Sequence, residues 1–270
     1  MNITPQFVFD GFGSLSKIGL INLHSSVVME GEMWAMAAPG VSIHTSRLKV
    51  GKITVDGIDA MMESPELEQA ARLVAGSPID VLCFGGTSAS FLHGTAWDRA
   101  LITKMQSWAP GVAVTTASTA VLAALSALHV GTVGLATPYI DEVHERAIRF
   151  LEENGHQVVK GKNLGIDTDQ ALAEVPLEQV YDLVLSVDDP QASALFISCT
   201  NFRSVGAIRA LEAALGKPVI SAVQALFWHS LQLTGVKGAR PGYGRLLNDY
   251  IAKSASFAGQ ASEPTNHATA

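Results

Sequence analysis

Val81-Leu82-Cys83-Phe84, running into Gly86-Thr87-Ser88, and Leu195-Phe196-Ile197-Ser198, running into Cys199-Thr200-Asn201, are two copies of one pattern. Each is a short apolar run that closes on a turn of small and hydroxyl-bearing residues. A second strand-like run of matching grammar precedes each, Lys17-Ile18-Gly19-Leu20-Ile21 in the first half and Thr132-Val133-Gly134-Leu135-Ala136 in the second. The offsets nearly agree, since 134 minus 19 is 115 and 199 minus 86 is 113. Two similar halves, each delivering a hydroxyl motif to a shared cleft, have this spacing. The leading residue is a thiol in one copy and a glycine in the other, so the cleft holds one reactive sulfur where a symmetric cleft would hold two.

Outward from these motifs, apolar runs of four to six residues alternate with longer helical patterns, the signature of βαβ units and parallel sheets. Strands are expected near 17–22, 42–46, 79–84, 112–115, 132–136, 157–159, 194–198 and 218–221. Ser64-Pro65-Glu66 opens a helix with an N-cap, a first-turn proline and early acids, and Leu67, Ala70, Ala71 and Val74 mark its buried stripe. Ile140 to Asn154 reads as a surface helix stopped by Asn154-Gly155. Ala117 to Leu128 is almost uniformly apolar, which buries it either between the halves or at a subunit contact of a homo-oligomer. Trp108-Ala109-Pro110-Gly111 reads as a hinge. The fold class is therefore α/β, with two pseudosymmetric doubly wound halves, parallel sheets and the active site between them. The halves are placed at 1–110 and 111–250, with 251–270 as a disordered tail. Ligands of such folds sit outside the carboxyl ends of the strands, where both hydroxyl motifs fall.

The 270 residues are 48% hydrophobic and 16% charged, enough for a substantial core. The formal net charge of −7, without a block of lysine and arginine, argues against a nucleic-acid partner. No apolar run reaches membrane-spanning length, and Met1-Asn2-Ile3-Thr4-Pro5 does not begin a signal peptide. Two cysteines make no disulfide framework and stand at no metal-ligand spacing, so a reducing cytoplasm is expected.

Cys199 is the candidate catalytic residue. Backbone N–H groups of Thr200 and Asn201, at the start of a following helix, would face an anion and lower the thiol's pKa; the plain alternative is a small buried hydrophobe. Gly86, Thr87 and Ser88 read as a carboxylate cradle or as a simple helix cap. Tyr139, at another strand end, directs a hydroxyl into the same cleft or packs there. Cys83 belongs to the core. His24 and His93 lie in loops near these segments without a triad or metal partner, His144 and His156 are expected in solvent, and Glu30, at a helix start, is read either as holding its loop in place or, in the favoured reading, as a cap.

As a set, Gly86-Thr87-Ser88-Ala89-Ser90-Phe91, Ala117-Ser118-Thr119-Ala120-Val121-Leu122, Leu135 to Val143 with Thr137-Pro138-Tyr139, Ser198-Cys199 and Ala239-Arg240-Pro241-Gly242-Tyr243-Gly244-Arg245-Leu246 resemble the aspartate/glutamate racemase superfamily. Within it the chain is most similar to the arylmalonate decarboxylase and maleate isomerase branch. Racemases and maleate isomerases have a cysteine at the head of both motifs, whereas here Gly86 replaces the first, as in arylmalonate decarboxylases. Asn22-Leu23-His24-Ser25-Ser26, leading to Glu30, departs from both branches and is expected to set substrate choice.

The resemblance implies a cofactor-independent, metal-free decarboxylase of a substituted malonate. One carboxylate would sit in a dioxyanion hole of Thr87, Ser88 and Tyr139 with amides near Gly86 and Thr200, the other would face an apolar pocket lined by the 20–30 and 157–170 loops, and Cys199 would protonate the enediolate. The alternatives are a maleate-type cis–trans isomerase, a racemase, and an idle binder of small dicarboxylates.

Overall fold

A computed structural model describes residues 11–237 and 241–251. Eight strands appear in it, β1 (Ser16–Leu23), β2 (Val41–Leu48), β3 (Val81–Phe84), β4 (Ala113–Thr116), β5 (Thr132–Tyr139), β6 (Gln157–Ile166), β7 (Ala194–Ile197) and β8 (Val219–Ser221). They form two parallel sheets of identical winding, β2-β1-β3-β4 and β6-β5-β7-β8. In the first half the helices are α1 (Met29–Met36), α2 (Val55–Glu63), α3 (Glu66–Ala75), α4 (Thr87–Phe91), α5 (Thr95–Trp108) and α6 (Ala117–Ala127). In the second they are α7 (Asp141–Glu153), α8 (Asp169–Glu174), α9 (Leu177–Ser186), α10 (Val205–Leu215), α11 (Ala222–Leu233) and α12 (Arg245–Ile251). The central strands β3 and β7 are buried at every residue, as continuous apolar runs flanked by helices should be.

The chain changes sheet between β4 and β5. The break at Trp108–Gly111 is only the α5–β4 loop, because β4 pairs with β3 inside the first sheet, so the boundary falls later than residues 110 and 111. Of the tail expected over 251–270, only Ile251 is among the described residues, and Ala239 and Arg240 lie outside them too.

Helices α6 and α11 join the halves. Thr116 and Ser221 cap them by accepting hydrogen bonds from the amides of Thr119 and Gln224. The two helices pack on each other, and the Ala117, Ala120, Val121, Ala124 and Leu125 face of α6 is buried while Ser126 is exposed. Helix α11 also lies against β3 and β4, where the Ser230 hydroxyl meets the Cys83 sulfur at 2.9 Å and the Thr115 hydroxyl meets Nδ1 of His229 at 2.8 Å. Cys83 is core, as expected, and burial pushes its thiol up to about 12.

Two histidines depart from the sequence reading. His144 is buried rather than solvated, because the inner stripe of α7 is Val143, His144, Ala147, Phe150 and Leu151, and it pairs with the Thr137 hydroxyl at 2.9 Å. His156 is half-buried and its Nδ1 lies 2.8 Å from the Val130 carbonyl. Helical spacing fixes a face; which polar residues that face then carries into the core depends on the partner strand.

Gly19 and Gly134 hold equivalent positions, opposite Leu82 and Leu195. At Gly134 a Cβ would come within 2.3 Å of the Val187 carbonyl oxygen, a backbone atom that cannot turn aside. Gly134→Ala is therefore expected to lower stability by about 3 kcal/mol. Gly131→Ala, whose Cβ meets nothing within 4 Å, is expected to change it by less than about 0.5 kcal/mol. Urea melts of both variants check this.

Candidate active site

Strand register makes the two turns equivalent. Gly86 lies four residues beyond Leu82 (86 minus 82) and Cys199 four beyond Leu195 (199 minus 195), and each leucine pairs with the matching glycine of its central strand. The turns meet across the halves, because the Thr200 hydroxyl donates a hydrogen bond to the Gly85 carbonyl. Gly86 stands where a second thiol would, and the ring of Phe84 occupies the space: a Cβ there would lie 2.7 Å from two ring carbons. Cys199 has φ of 103°, a left-handed conformation that a non-glycine residue adopts at a cost and that marks functional turns.

Thr87 and Ser88 open α4, and Tyr139 ends β5 with its ring edge-on to Phe91 at 6.2 Å. All three are buried. Among the described residues the hydroxyl of Thr87 has no hydrogen-bond partner, and those of Tyr139 and Ser198 have only each other and the Cys199 sulfur beside them. Buried donors without acceptors are costly, and a carboxylate bound between the halves would satisfy them. Tyr139 stays a neutral donor, its pKa raised first by burial and then by the neighbouring Cys199.

The protonation of Cys199 differs from the sequence reading. No helix begins at Thr200; α10 starts at Val205. Its N-terminal amides are already taken, since the carboxylate of Glu32 on α1 accepts from the amides of Ser204 (2.7 Å) and Val205 (2.9 Å) and from the Ser204 hydroxyl (3.0 Å). The anion site of that helix thus serves the interface between the halves. The thiol is pushed up to about 12, first by burial and then by the charge of Asp169, which the nearby Asn201 amide and Tyr139 hydroxyl only partly oppose. At neutral pH Cys199 is a thiol, suited to giving a proton.

Asn201, expected to bind substrate, has its side chain committed to the protein. Its Oδ1 accepts from the Ser26 hydroxyl (3.2 Å) and the amides of Val27 (3.1 Å) and Val28 (3.3 Å), and its Nδ2 donates to the carbonyl and Oδ2 of Asp169, both at 2.9 Å. Ser25 donates to the same Oδ2 at 2.7 Å. Residues 25–28 of the first loop and Asp169 of the second thus meet at Asn201 through polar atoms. Glu30 caps nothing; it pairs with Arg47 at 2.6 Å, and Arg47 donates to the carbonyls of Leu23, His24 and Ser26, clamping the loop. Farther out, Lys52 pairs with Asp167 at 2.7 Å and the Ile53 amide donates to the Asp167 carbonyl at 2.7 Å, a strap between the halves. His24 accepts from the Val50 amide at 3.3 Å and His93 pairs with Asp59 at 2.7 Å, so neither is part of the thiol's surroundings. Sequence reasoning missed Glu32, Arg47 and Asp169. Each looks like an ordinary helix-start acid or surface charge, and its partners lie far away in the chain.

Among the described residues no group of three or more His, Cys, Asp or Glu is placed to hold a metal ion, and no helix is long and apolar enough to cross a membrane.

A family profile described as arylmalonate decarboxylase matches residues 18–247. The arylmalonate decarboxylase of Bordetella bronchiseptica is 38% identical over 214 residues, 78% of this chain and 88% of that one. A maleate isomerase of Nocardia farcinica is 27% identical over 251 residues, 90% of this chain and 99% of that one. Among solved structures, a glycine-to-cysteine, cysteine-to-serine double mutant of arylmalonate decarboxylase in its liganded form matches with a TM-score of 0.80 at 35% identity, covering 87% of this chain and 99% of that one.

The raised thiol can be tested by alkylation. Iodoacetamide at pH 8 is expected to modify Cys199 slowly, and Asp169→Asn, which removes the neighbouring negative charge, to speed modification by about threefold or more. Peptide mapping separates Cys199 from Cys83.

Proposed function

The chain belongs to the arylmalonate decarboxylase family, and on that premise we propose that it is a cofactor-independent decarboxylase of a substituted malonate-type diacid. The observation that carries this reading is a single thiol, protonated at neutral pH, at the meeting of the two strand-end turns, with the buried Tyr139 hydroxyl beside it and the Thr87 hydroxyl left without a protein partner. One substrate carboxylate is held by the hydroxyls of Thr87, Ser88 and Tyr139 and by backbone amides near Gly86 and Thr200. The second is enclosed and stripped of water, which favours its departure as neutral CO2. As the C–C bond breaks, its electron pair enters the enediolate of the retained carboxylate, where the donors of the hole meet the growing charge. Cys199 then transfers its S–H proton to the α-carbon, and its thiolate regains a proton from water. Delivery from one side gives a single enantiomer wherever the α-carbon becomes a stereocentre.

Maleate-type isomerisation would require Cys199 to attack as a thiolate, which a thiol at about 12 disfavours. Racemisation would require a second acid at Gly86, where Phe84 fills the space. The free state of Cys83 and Cys199 supports a reducing cytoplasm as the place of action.

Proton NMR in deuterated water with phenylmalonate, alkylmalonates, maleate and aspartate tests the reading. We expect CO2 release with one deuterium at the α-carbon, and a loss of about 10³-fold in rate with Cys199→Ala while substrate still binds. Conversion of maleate to fumarate would overturn it.

The pH profile gives a second test. Because the acting group must be protonated and its pKa is raised to about 12, kcat should stay level from pH 7 to about 10. A fall with a midpoint near 9 would mean an ordinary thiol instead.

A further inference from the structure

We infer that Asn201 and Glu32 are positioning residues for the proton transfer: the loop that carries Cys199 takes its shape from the first half of the molecule, and these two side chains set where the sulfur stands. The part played in proton transfer rests on the decarboxylase reading; the anchoring of the loop does not.

Cys199 sits in the 198–204 loop, between the end of β7 at Ile197 and the start of α10 at Val205. Its φ of 103° is strained for a residue with a Cβ, and such a conformation persists only where its surroundings over-determine it. Here much of that constraint comes from the other half. Thr200 donates to the Gly85 carbonyl. Asn201, 2% exposed, accepts at Oδ1 from the Ser26 hydroxyl and from the amides of Val27 and Val28, which lead into α1. At the far end of the loop Glu32, on that same helix, accepts at Oε1 from the amides of Ser204 and Val205 that open α10.

Neither helix is capped by its own N-cap side chain, since Val28 and Ser204 make no such hydrogen bond. Each half thus supplies the acceptor for the amides at which the other half's helix begins, an exchange that exists only while the halves are together. Phe202, between the two anchors, is fully buried, so the loop is held at both ends and in the middle. Proton transfer to carbon needs such a hold, because a displacement of about 1 Å can cost about 10²-fold in rate. A sulfur free to move would also deliver its proton from more than one direction.

The test compares Asn201→Ala, Glu32→Ala, Glu32→Gln and Glu32→Asp in the full-length protein, with folding checked by thermal melting and near-ultraviolet circular dichroism. Decarboxylation of methylphenylmalonate creates a stereocentre, so kcat, KM and the enantiomer ratio are read together. Glu32→Gln keeps an oxygen for both amides and loses the charge, whereas Glu32→Asp keeps the charge and falls one methylene short. Anchoring places kcat in the order glutamate, glutamine, aspartate, alanine, with Glu32→Gln within about threefold of the unsubstituted protein. Asn201→Ala and Glu32→Ala are expected to lower kcat by about tenfold or more, to change KM by less than about threefold and to erode the enantiomer ratio. Independently of turnover, iodoacetamide is expected to modify Cys199 about tenfold faster in Asn201→Ala. A higher kcat for Glu32→Asp than for Glu32→Gln would mean that charge acts and not reach; where an alanine variant does not fold, this order decides. That result, or an unchanged kcat and enantiomer ratio per folded molecule in the alanine variants, overturns the inference and leaves the decarboxylase standing. Faster alkylation in Asn201→Ala, with no CO2 from the unsubstituted protein, overturns the decarboxylase and leaves the anchoring.

Discussion

The side-chain amide of Asn201 is the knot on which the site depends. Through five hydrogen bonds it fastens the turn after Cys199 to the Ser26–Val28 loop of the first half and to Asp169 at the start of α8. Both its donors are used and its oxygen accepts three times, so the two halves meet there with no polar atom of the amide left over. Thr200, one residue earlier, reaches Gly85 across the same boundary. Two consecutive residues thus hold the single thiol at a fixed place between two sheets that are otherwise separate.

That closeness also sets the chemistry. A cysteine at a strand end, followed by polar residues, has the look of an activated thiolate, and an open helix N-terminus would make it one. Here Glu32 fills the helix N-terminus and burial takes the thiol away from water, with Asp169 adding like charge. The same residue type in the same turn therefore stays protonated at neutral pH, the state that the proposed decarboxylation requires. The missing partner at Gly86 fits this role, since one acid above an enediolate is sufficient for protonation, whereas exchange between two faces requires two.

The fold was legible because its signals are local. Alternating short apolar runs and helical stripes reveal eight strands, and β5 and β6 extend beyond the expected ranges only because Thr137-Pro138-Tyr139 and residues 160–166 continue the pairing without an apolar pattern. The boundary was misplaced since Pro110-Gly111 marks a loop, and a loop does not say to which sheet the next strand returns. Among the candidate site residues, Gly86, Thr87, Ser88, Tyr139, Cys199 and Thr200 stand out in the sequence as hydroxyls, a glycine and a thiol at strand ends. Asn201 did so for a different task, and Asp169 not at all, because its partner Ser25 lies 144 residues away.

What the sequence by itself determined is the doubled architecture and the asymmetry at its centre, a thiol opposite a glycine. Periodicity and spacing are properties of neighbours in the chain, and they survive without knowledge of the whole. The protonation of that thiol, the commitment of Asn201 to the scaffold and the burial of Asp169 beside that amide were decided only by tertiary structure. Each depends on which distant groups come within a few ångströms and on how much water is excluded when they do, and neither quantity exists until the two halves close.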